Sequence, residues 1–418
     1  MNEKFIKAQE LTKKYDQEHL LAFYNELSAC EQENLLDQIL SIDFDLMNEL
    51  FLQAKAEMEG GTEIKGEITP IGCVEKSALS ANELKAYEEK GRKIMKDGGF
   101  AAVTMAGGQG TRLGHNGPKG TYDIGLESHM SLFEIQAMRL KKKKEELGVN
   151  IPWYIMTSKE NDAATKAHFE ANNYFGYDKD SIMFFVQCML PMIHTNGKVV
   201  LCEKGKIKEG ADGHGGIFTA MIKSGVAADI KKRGVNWLFV GGIDNVLVRL
   251  CDPVFVGYME ESGKMIGGKS LIKRDPYEKA GVFCKKDGKP YVIEYTEISK
   301  EMAEMVDENG QYVYGDAHIL CNMFNSKVFD VMGDKGLPYH TAFKKTAYID
   351  ENGNEITPDK PNAYKFEAFI FDAFNFFDDM AILRITREEE FAPVKNKEGE
   401  DSPATAKALY EACGEEIY

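Results

Sequence analysis

The stretch that decides the fold runs Phe100-Ala101-Ala102-Val103-Thr104-Met105-Ala106-Gly107-Gly108-Gln109-Gly110-Thr111-Arg112-Leu113-Gly114, and Pro118-Lys119-Gly120 closes it. Its first half is a short, nearly unbroken apolar run, the pattern of a strand buried on both faces. Its second half is a glycine-rich turn. Open α/β sheets bind ligands beyond the carboxyl ends of their strands. Glycines there let backbone N–H groups approach a phosphate with no Cβ in the way. Arg112 and Lys119 would add positive charge.

Two common phosphate loops do not match. The loop of nucleotide hydrolases places Lys-Ser/Thr after a glycine, whereas Lys119 follows Pro118 and precedes Gly120. The dinucleotide fingerprint G-x-G-x-x-G is one residue shorter than the spacing of Gly108, Gly110 and Gly114.

Outward from this stretch, WYIMTS (153–158), IMFFVQ (182–187) and WLFVGGIDN (237–245) read as strands. Helical stretches at 131–147, 161–173 and 215–233 alternate with them. This rhythm predicts an α/β fold: a Rossmann-like domain with a mixed, mostly parallel sheet and helices on both faces. From Lys264 the pattern is β-rich, through GKSLIK, AGVFCKK, YVIEYTEI and AHILCNMFN. A helix is expected over 366–379 and a short one from Pro403. Residues 1–57 and 80–97 read as helical. The expected organisation is a helical N-terminal subdomain (1–95), a nucleotidyltransferase-like catalytic domain (96–385) and a short C-terminal α+β segment (386–418). The run Lys141 to Lys144 is expected to be a solvated helix face.

The chain has 418 residues, 43% of them hydrophobic, and a net charge of −16. That balance argues against a nucleic-acid partner. Eight cysteines, none in a C-x-x-C pair, read as free thiols of a reducing, cytoplasmic protein. Neither a secretory leader nor an apolar run of about 18 residues is present, so no membrane partner is expected. Nothing in the pattern fixes the oligomeric state, and a monomer is favoured.

The motif MAGGQGTRLG followed by PKG resembles the signature of the eukaryotic-type UDP-sugar pyrophosphorylases, most closely the UDP-N-acetylglucosamine pyrophosphorylases. The resemblance extends from residue 95 to 405. It implies UTP and a hexose 1-phosphate as substrates and a UDP-sugar and pyrophosphate as products. Met105, Ala106, Gly107, Gly108, Lys119, Gln187, Gly213 and Asp244 then become nucleotide-binding candidates. Gln187, in a Q-x-x-L-P context, would pair with uracil; an amide offers both the donor and the acceptor that edge needs. Asp244, in a strand-end I-D-N, would hold Mg²⁺ beside the substrate phosphates. His214, Gly281, Glu294, Tyr295, Asn322, Lys365, Phe369 and Lys395 match positions around the hexose. Arg112, Lys119 and Lys395 would neutralise charge during the reaction.

One departure bears on the sugar. Gly213-His214-Gly215-Gly216 mixes two patterns, since the acetylamino-sugar enzymes carry G-N-G-G and the glucose enzymes G-H-G-D. A glycine at 216 is expected to leave room near the phosphate end of the sugar. N-acetylglucosamine 1-phosphate is the leading substrate, with glucose or galactose 1-phosphate as the alternative. A non-catalytic UDP-sugar-binding regulator on the same fold is the other reading.

Overall fold

The computed structural model describes residues 3–60, 66–332 and 336–414. Its contacts divide the chain into two compact units, neither contiguous in sequence. The larger comprises Ile64–Gln187, Ile217–Gly336 and Ile370–Tyr418; the smaller comprises Met1–Glu63, Cys188–Gly216 and Leu337–Phe369.

An eleven-stranded sheet organises the larger unit. Its main path runs Val74–Glu75, Ala381–Arg384, Ile266–Ile272, Asp316–Asn325, Trp237–Gly242, Phe100–Met105, Trp153–Thr157 and Ile182–Val186. Neighbours on this path are parallel except the two pairs made by Asp316–Asn325. The hairpin Val282–Lys286 and Lys289–Ile293 branches off through the pair Val282–Ala317. Every residue of Phe100–Met105, Trp153–Thr157 and Trp237–Gly242 is buried, as their apolar runs require.

The chain lays 100–105, 153–157 and 182–186 side by side, then returns to place 237–242 on the other flank of 100–105. The strand order reverses there, and ligands of such sheets bind beyond that reversal. Register pairs Gly242 with Met105. Gln136, buried on the helix Leu132–Leu147, ties the two strands together. It accepts from the Thr104 hydroxyl at 2.7 Å and donates to the Gly242 carbonyl at 3.3 Å.

Two features of this core are invisible to hydrophobic periodicity. Helices Ala81–Lys96 and Pro253–Ser262 cross backbone to backbone. A Cβ on Gly91 would lie 1.9 Å from the Pro253 carbonyl oxygen, and one on Gly257 1.9 Å from that of Tyr87. In mid-strand, Lys269 is 1% exposed and is ion-paired to Asp252, at 2.6 Å, and to Glu390. Burial pushes the Asp252 carboxyl up, but Lys269 and then Lys76 outweigh it and hold it well below the usual range. Asp252 also caps Pro253–Ser262 by accepting from Val254 N at 2.9 Å.

The smaller unit shows why residues 1–57 are amphipathic. Leu35, Leu36 and Ile39 of the helix Ala29–Ser41 bury against Val199, Leu201 and Ile207. Met47, Leu50 and Ala54 of Phe44–Gly60 bury against Ile193, Tyr364 and Phe366. The helices therefore take their core from segments far along the chain.

Three local expectations are corrected. Residues 366–379 are not one helix: Ala363–Glu367 is a strand paired with His340–Lys344, and Ile370–Phe376 is a 3-10 turn. Burying Tyr364 and Phe366 together suits the period of a strand. The helix over 215–233 breaks at Gly225, whose φ is +84°. Lys143 does not face solvent: it is 8% exposed and bonds Glu146 at 2.7 Å. All eight cysteines are free, and Cys251, Cys284 and Cys321 are buried. No helix among the described residues is long and apolar enough to cross a membrane.

Because the clash at Gly257 is with backbone rather than a flexible side chain, Gly257→Ala is expected to lower unfolding free energy by at least about 2 kcal/mol. Gly72→Ala, where a Cβ meets nothing within 4 Å, should stay within about 0.5 kcal/mol. Urea unfolding followed by circular dichroism compares the two.

Candidate active site

The glycine loop leaves the sheet at its reversal point and is held from below. Ala106 N donates to the Met156 carbonyl at 2.8 Å. Asn161, fully buried, donates to the carbonyls of Ala106 at 2.9 Å and Gly108 at 3.2 Å, while its Oδ1 accepts from Ser158 N at 2.8 Å. The loop then closes on itself: Lys119 N donates to the Gly108 carbonyl at 3.1 Å, and Gly110 N to that of Gly117 at 2.9 Å. Gly107 touches the candidate uracil reader. A Cβ there would come 2.3 Å from Gln187 Oε1. Gln187 itself is buried at a strand end, its N–H donating to the Thr157 carbonyl at 2.8 Å. Met105 and Ala106 are buried, and Gly108 is exposed.

Asp244 follows the neighbouring strand, and its carboxylate lies 3.7 Å from Lys119 Nζ. Its backbone carbonyl accepts from Val394 N at 2.8 Å, which brings Lys395 beside it in the chain. Asn245 fixes this junction. Its Nδ2 donates to the Glu390 carbonyl at 2.7 Å, and its Oδ1 accepts from Leu247 N at 3.1 Å and Ala392 N at 2.8 Å. Arg139, buried on the helix behind, donates to the carbonyls of Val246 and Val248. Lys395 is half exposed, with its Nζ 3.9 Å from Asp401. Arg112 is exposed on the loop and makes no ion pair with a described residue. Among the described residues, no group of three or more His, Cys, Asp or Glu could hold a metal ion. A single half-buried carboxylate such as Asp244 suits Mg²⁺ only where phosphate oxygens and water complete its coordination, not a protein-built cage.

A second cluster of the larger unit gathers Gly281, Glu294 and Asn322. A Cβ on Gly281 would lie 3.2 Å from Glu294 Oε1. His318 N donates to the Gly281 carbonyl at 2.8 Å, and His318 Nε2 is 3.0 Å from Asn322 Oδ1. Tyr295 is exposed on the following turn.

The remaining candidates belong to the smaller unit. Gly213 is left-handed (φ +84°), and a Cβ there would meet the Ala368 carbonyl at 2.3 Å. Gly215 N donates to that same carbonyl at 2.8 Å. Phe369 stands between two imidazoles, its ring 5.4 Å from His214 and 4.6 Å from His340. Burial first, and His340 second, push the His214 pKa down to about 4, so it is neutral at pH 7. Lys365 is ion-paired to Glu367 at 2.8 Å. The space expected at Gly216 is already filled: a Cβ there would come 2.2 Å from Asp212 Oδ2.

Asn161, Gln136, Arg139 and His318 are functional-looking residues that sequence reasoning misses. Asn161 stands at the start of the expected helix 161–173 and carries no other signal. The other three lie inside regular elements with no local motif.

Comparison with known proteins comes to the same place. The profile of the UTP--glucose-1-phosphate uridylyltransferase family matches residues 44–399. The UDP-N-acetylglucosamine pyrophosphorylase of Saccharomyces cerevisiae is 36% identical over 95% of this chain and 88% of its own. The human UDP-N-acetylhexosamine pyrophosphorylase-like protein 1 is 36% identical over 94% of this chain and 81% of its own. The structure of the Trypanosoma brucei uridine diphosphate N-acetylglucosamine pyrophosphorylase superposes with a TM-score of 0.84 at 30% identity. That match covers 98% of this chain and 84% of the other.

Gly107→Ala separates fold from site. The atom it would strike is the end of a mobile side chain, so Gln187 can move and the fold should survive. Uridine-nucleotide affinity, measured by calorimetry, should fall at least about tenfold, or about 1.4 kcal/mol. The melting midpoint should stay within about 1 °C, below the roughly 2 °C by which a lesion of about 2 kcal/mol would move a chain of 418 residues. Unchanged affinity would separate Gln187 from the ligand.

Proposed function

The chain belongs to the UTP--glucose-1-phosphate uridylyltransferase family, and we propose that it joins UTP to N-acetylglucosamine 1-phosphate, yielding UDP-N-acetylglucosamine and pyrophosphate. The observation that carries this reading is the juxtaposition at the strand reversal. There Gly107 abuts Gln187, and Lys119 faces Asp244. A glycine loop, an amide, a cation and a carboxylate stand together at one end of one sheet, the set that a base, a polyphosphate and a metal would call for.

An oxygen of the sugar phosphate attacks the α-phosphorus of UTP; the bond to the β-phosphate oxygen breaks, and pyrophosphate leaves with the electron pair. The nucleophile is already anionic, because the second pKa of a phosphate monoester is about 6. No general base is needed, and the task is to align two polyanions and neutralise moving charge. Loop N–H groups with Arg112 and Lys119 hold the triphosphate. Lys395 meets charge on the phosphates from the Asp244 side. Asp244 is the residue that would hold Mg²⁺, which when bound supplies Lewis-acid neutralisation of phosphate oxygens. By the resemblance, Gly281, Glu294, Tyr295 and Asn322 of the larger unit would serve the hexose. The eight free cysteines support a cytoplasmic location.

His214 favours weighing glucose 1-phosphate as the competing substrate. It is uncharged, so it acts by size and hydrogen bonding rather than by attracting phosphate.

Pyrophosphate release, measured with a panel of sugar 1-phosphates, tests the assignment. N-acetylglucosamine 1-phosphate should exceed glucose 1-phosphate in kcat/KM by at least about tenfold, or about 1.4 kcal/mol in transition-state binding. Arg112→Ala and Lys119→Ala should each lower kcat by about 10²-fold, and Asp244→Ala should abolish turnover at every Mg²⁺ level. A wild-type protein that binds UTP but releases no pyrophosphate with any sugar would make it the non-catalytic regulator.

The folded-state pKa of His214, about 4, lies below the ordinary 6.5. The neutral ring therefore contributes stability above pH 6.5 that is lost as pH falls from 6.5 through 4. His214→Asn should flatten this acid limb of the melting curve and shift the sugar preference. It should leave the pH–rate profile unchanged near neutrality, and a moved neutral limb would show that His214 titrates there.

A further inference from the structure

Backbone contacts on both sides fix Lys395. Val394 N donates to the Asp244 carbonyl at 2.8 Å, so the chain reaches Lys395 from the Asp244 side. It then turns back at once. The N–H groups of Lys395 and Asn396 both donate to the Asp401 carbonyl, at 2.7 Å and 3.0 Å. Asn396 Nδ2 donates to the Glu400 carbonyl at 2.8 Å and closes the same turn. The Asp401 carboxylate also faces the Lys395 ammonium, at 3.9 Å. One residue therefore holds both the main chain and the charge of Lys395.

Asp401 is itself held in place. Its φ is +54°, in the left-handed region that non-glycine residues avoid. Such conformations persist only where the surroundings impose them, and they cluster at functional sites. Here the next residue is firmly anchored. Ser402, 2% exposed, caps the helix Pro403–Cys413, which buries Ala406 and Tyr410 in the core of the larger unit. The ion pair is the opposite of rigid. The Lys395 and Asp401 side chains are 45% and 24% exposed, and a pair so open to water is weak. A fixed carbonyl and a loosely held ammonium suit a lysine that must be aimed yet remain available to another anion.

We propose that Asp401 is a positioning residue for Lys395: its carbonyl fixes the turn that presents the lysine, and its carboxylate narrows the directions the ammonium takes towards substrate phosphate. The inference rests on the role given above to Lys395, which meets charge on the phosphates during uridylyl transfer. Alignment of this kind acts on the transition state more than on substrate binding, so its loss lowers kcat rather than raising KM.

The test is pyrophosphate release by the full chain with UTP, N-acetylglucosamine 1-phosphate and Mg²⁺. Asparagine and glycine both tolerate the left-handed turn but carry no charge. Asp401→Asn and Asp401→Gly should each lower kcat about tenfold, with both KM values within about twofold. The melting midpoint of Asp401→Asn should stay within about 1 °C. Lys395→Ala should lower kcat about 10²-fold. Adding Asp401→Asn to it should change nothing further, because Asp401 acts through Lys395. Asp401→Val, whose β-branched side chain resists the left-handed turn, should fall close to Lys395→Ala. The asparagine and glycine variants carry the test if the valine variant misfolds. Unchanged kcat in Asp401→Asn, a rise in KM alone, or a further loss on top of Lys395→Ala would overturn the proposal. So would a folded Asp401→Val no slower than Asp401→Asn. Lys395→Ala with wild-type kcat, or a wild type that releases no pyrophosphate, would instead remove the reading on which it rests.

Discussion

The site depends on one constraint, the parallel register of Phe100–Met105 against Trp237–Gly242. Because Gly242 pairs with Met105, the residues that follow each strand leave the sheet at the same height. The glycine loop follows one strand and Asp244 the other, so Lys119 and Asp244 meet although separate segments of chain supply them. A slip of one residue would exchange the side chains that one strand presents to the two covered faces. Gln136 resists such a slip by bonding Thr104 on one strand and Gly242 on the other. Polar groups buried at this point act as register pins, and their hydrogen bonds are directional where apolar packing is not.

A second layer of buried polar groups transmits that register to the loops. Asn161 carries the backbone of Ala106 and Gly108; Asn245 carries that of Glu390 and Ala392; Arg139 carries Val246 and Val248. Each binds main-chain groups beneath a loop and fixes their direction. Lys269 does the same for charge, joining the N-terminal cap Asp252 to Glu390, the residue whose carbonyl Asn245 holds. Removing one partner of such a buried pair leaves an uncompensated charge, which is far more damaging than the pair is stabilising.

The sheet was legible because its strands are short apolar runs alternating with helical stretches, and the loop because its glycines, arginine and lysine have fixed spacing. The smaller unit was not legible as a unit. Its helices show an amphipathic face, but periodicity does not say which distant segment covers that face, and Val199, Leu201 and Ile207 lie far along the chain. The segment 366–379 misled for a related reason: its aromatic residues satisfy a helical pattern as well as the alternation by which Tyr364 and Phe366 are buried in a strand. Gly216 misled in another way. A glycine opposite an expected side chain suggests space, but the space belongs to Asp212, and only coordinates reveal the tenant. Asn161, Arg139 and His318 bond segments distant in the chain and leave no local pattern.

The net charge of −16 and a substrate pair rich in phosphate look contradictory until the cations are sorted by partner. Lys269, Lys76, Arg384 and Arg387 are locked in buried or half-buried ion pairs. They stabilise the unit and contribute little field outside it. Arg112 makes no ion pair with a described residue, and Lys119 and Lys395 sit at the looser separations of 3.7 Å and 3.9 Å from their carboxylates. Coulomb attraction grows as solvent is excluded, so a polyanion that displaces water at that end of the sheet would be held more strongly by these three cations. The acidic exterior opposes it only weakly, because exposed charges are screened over about 8 Å at physiological salt. The placement of a few cations, not the sum over the chain, decides what this protein attracts.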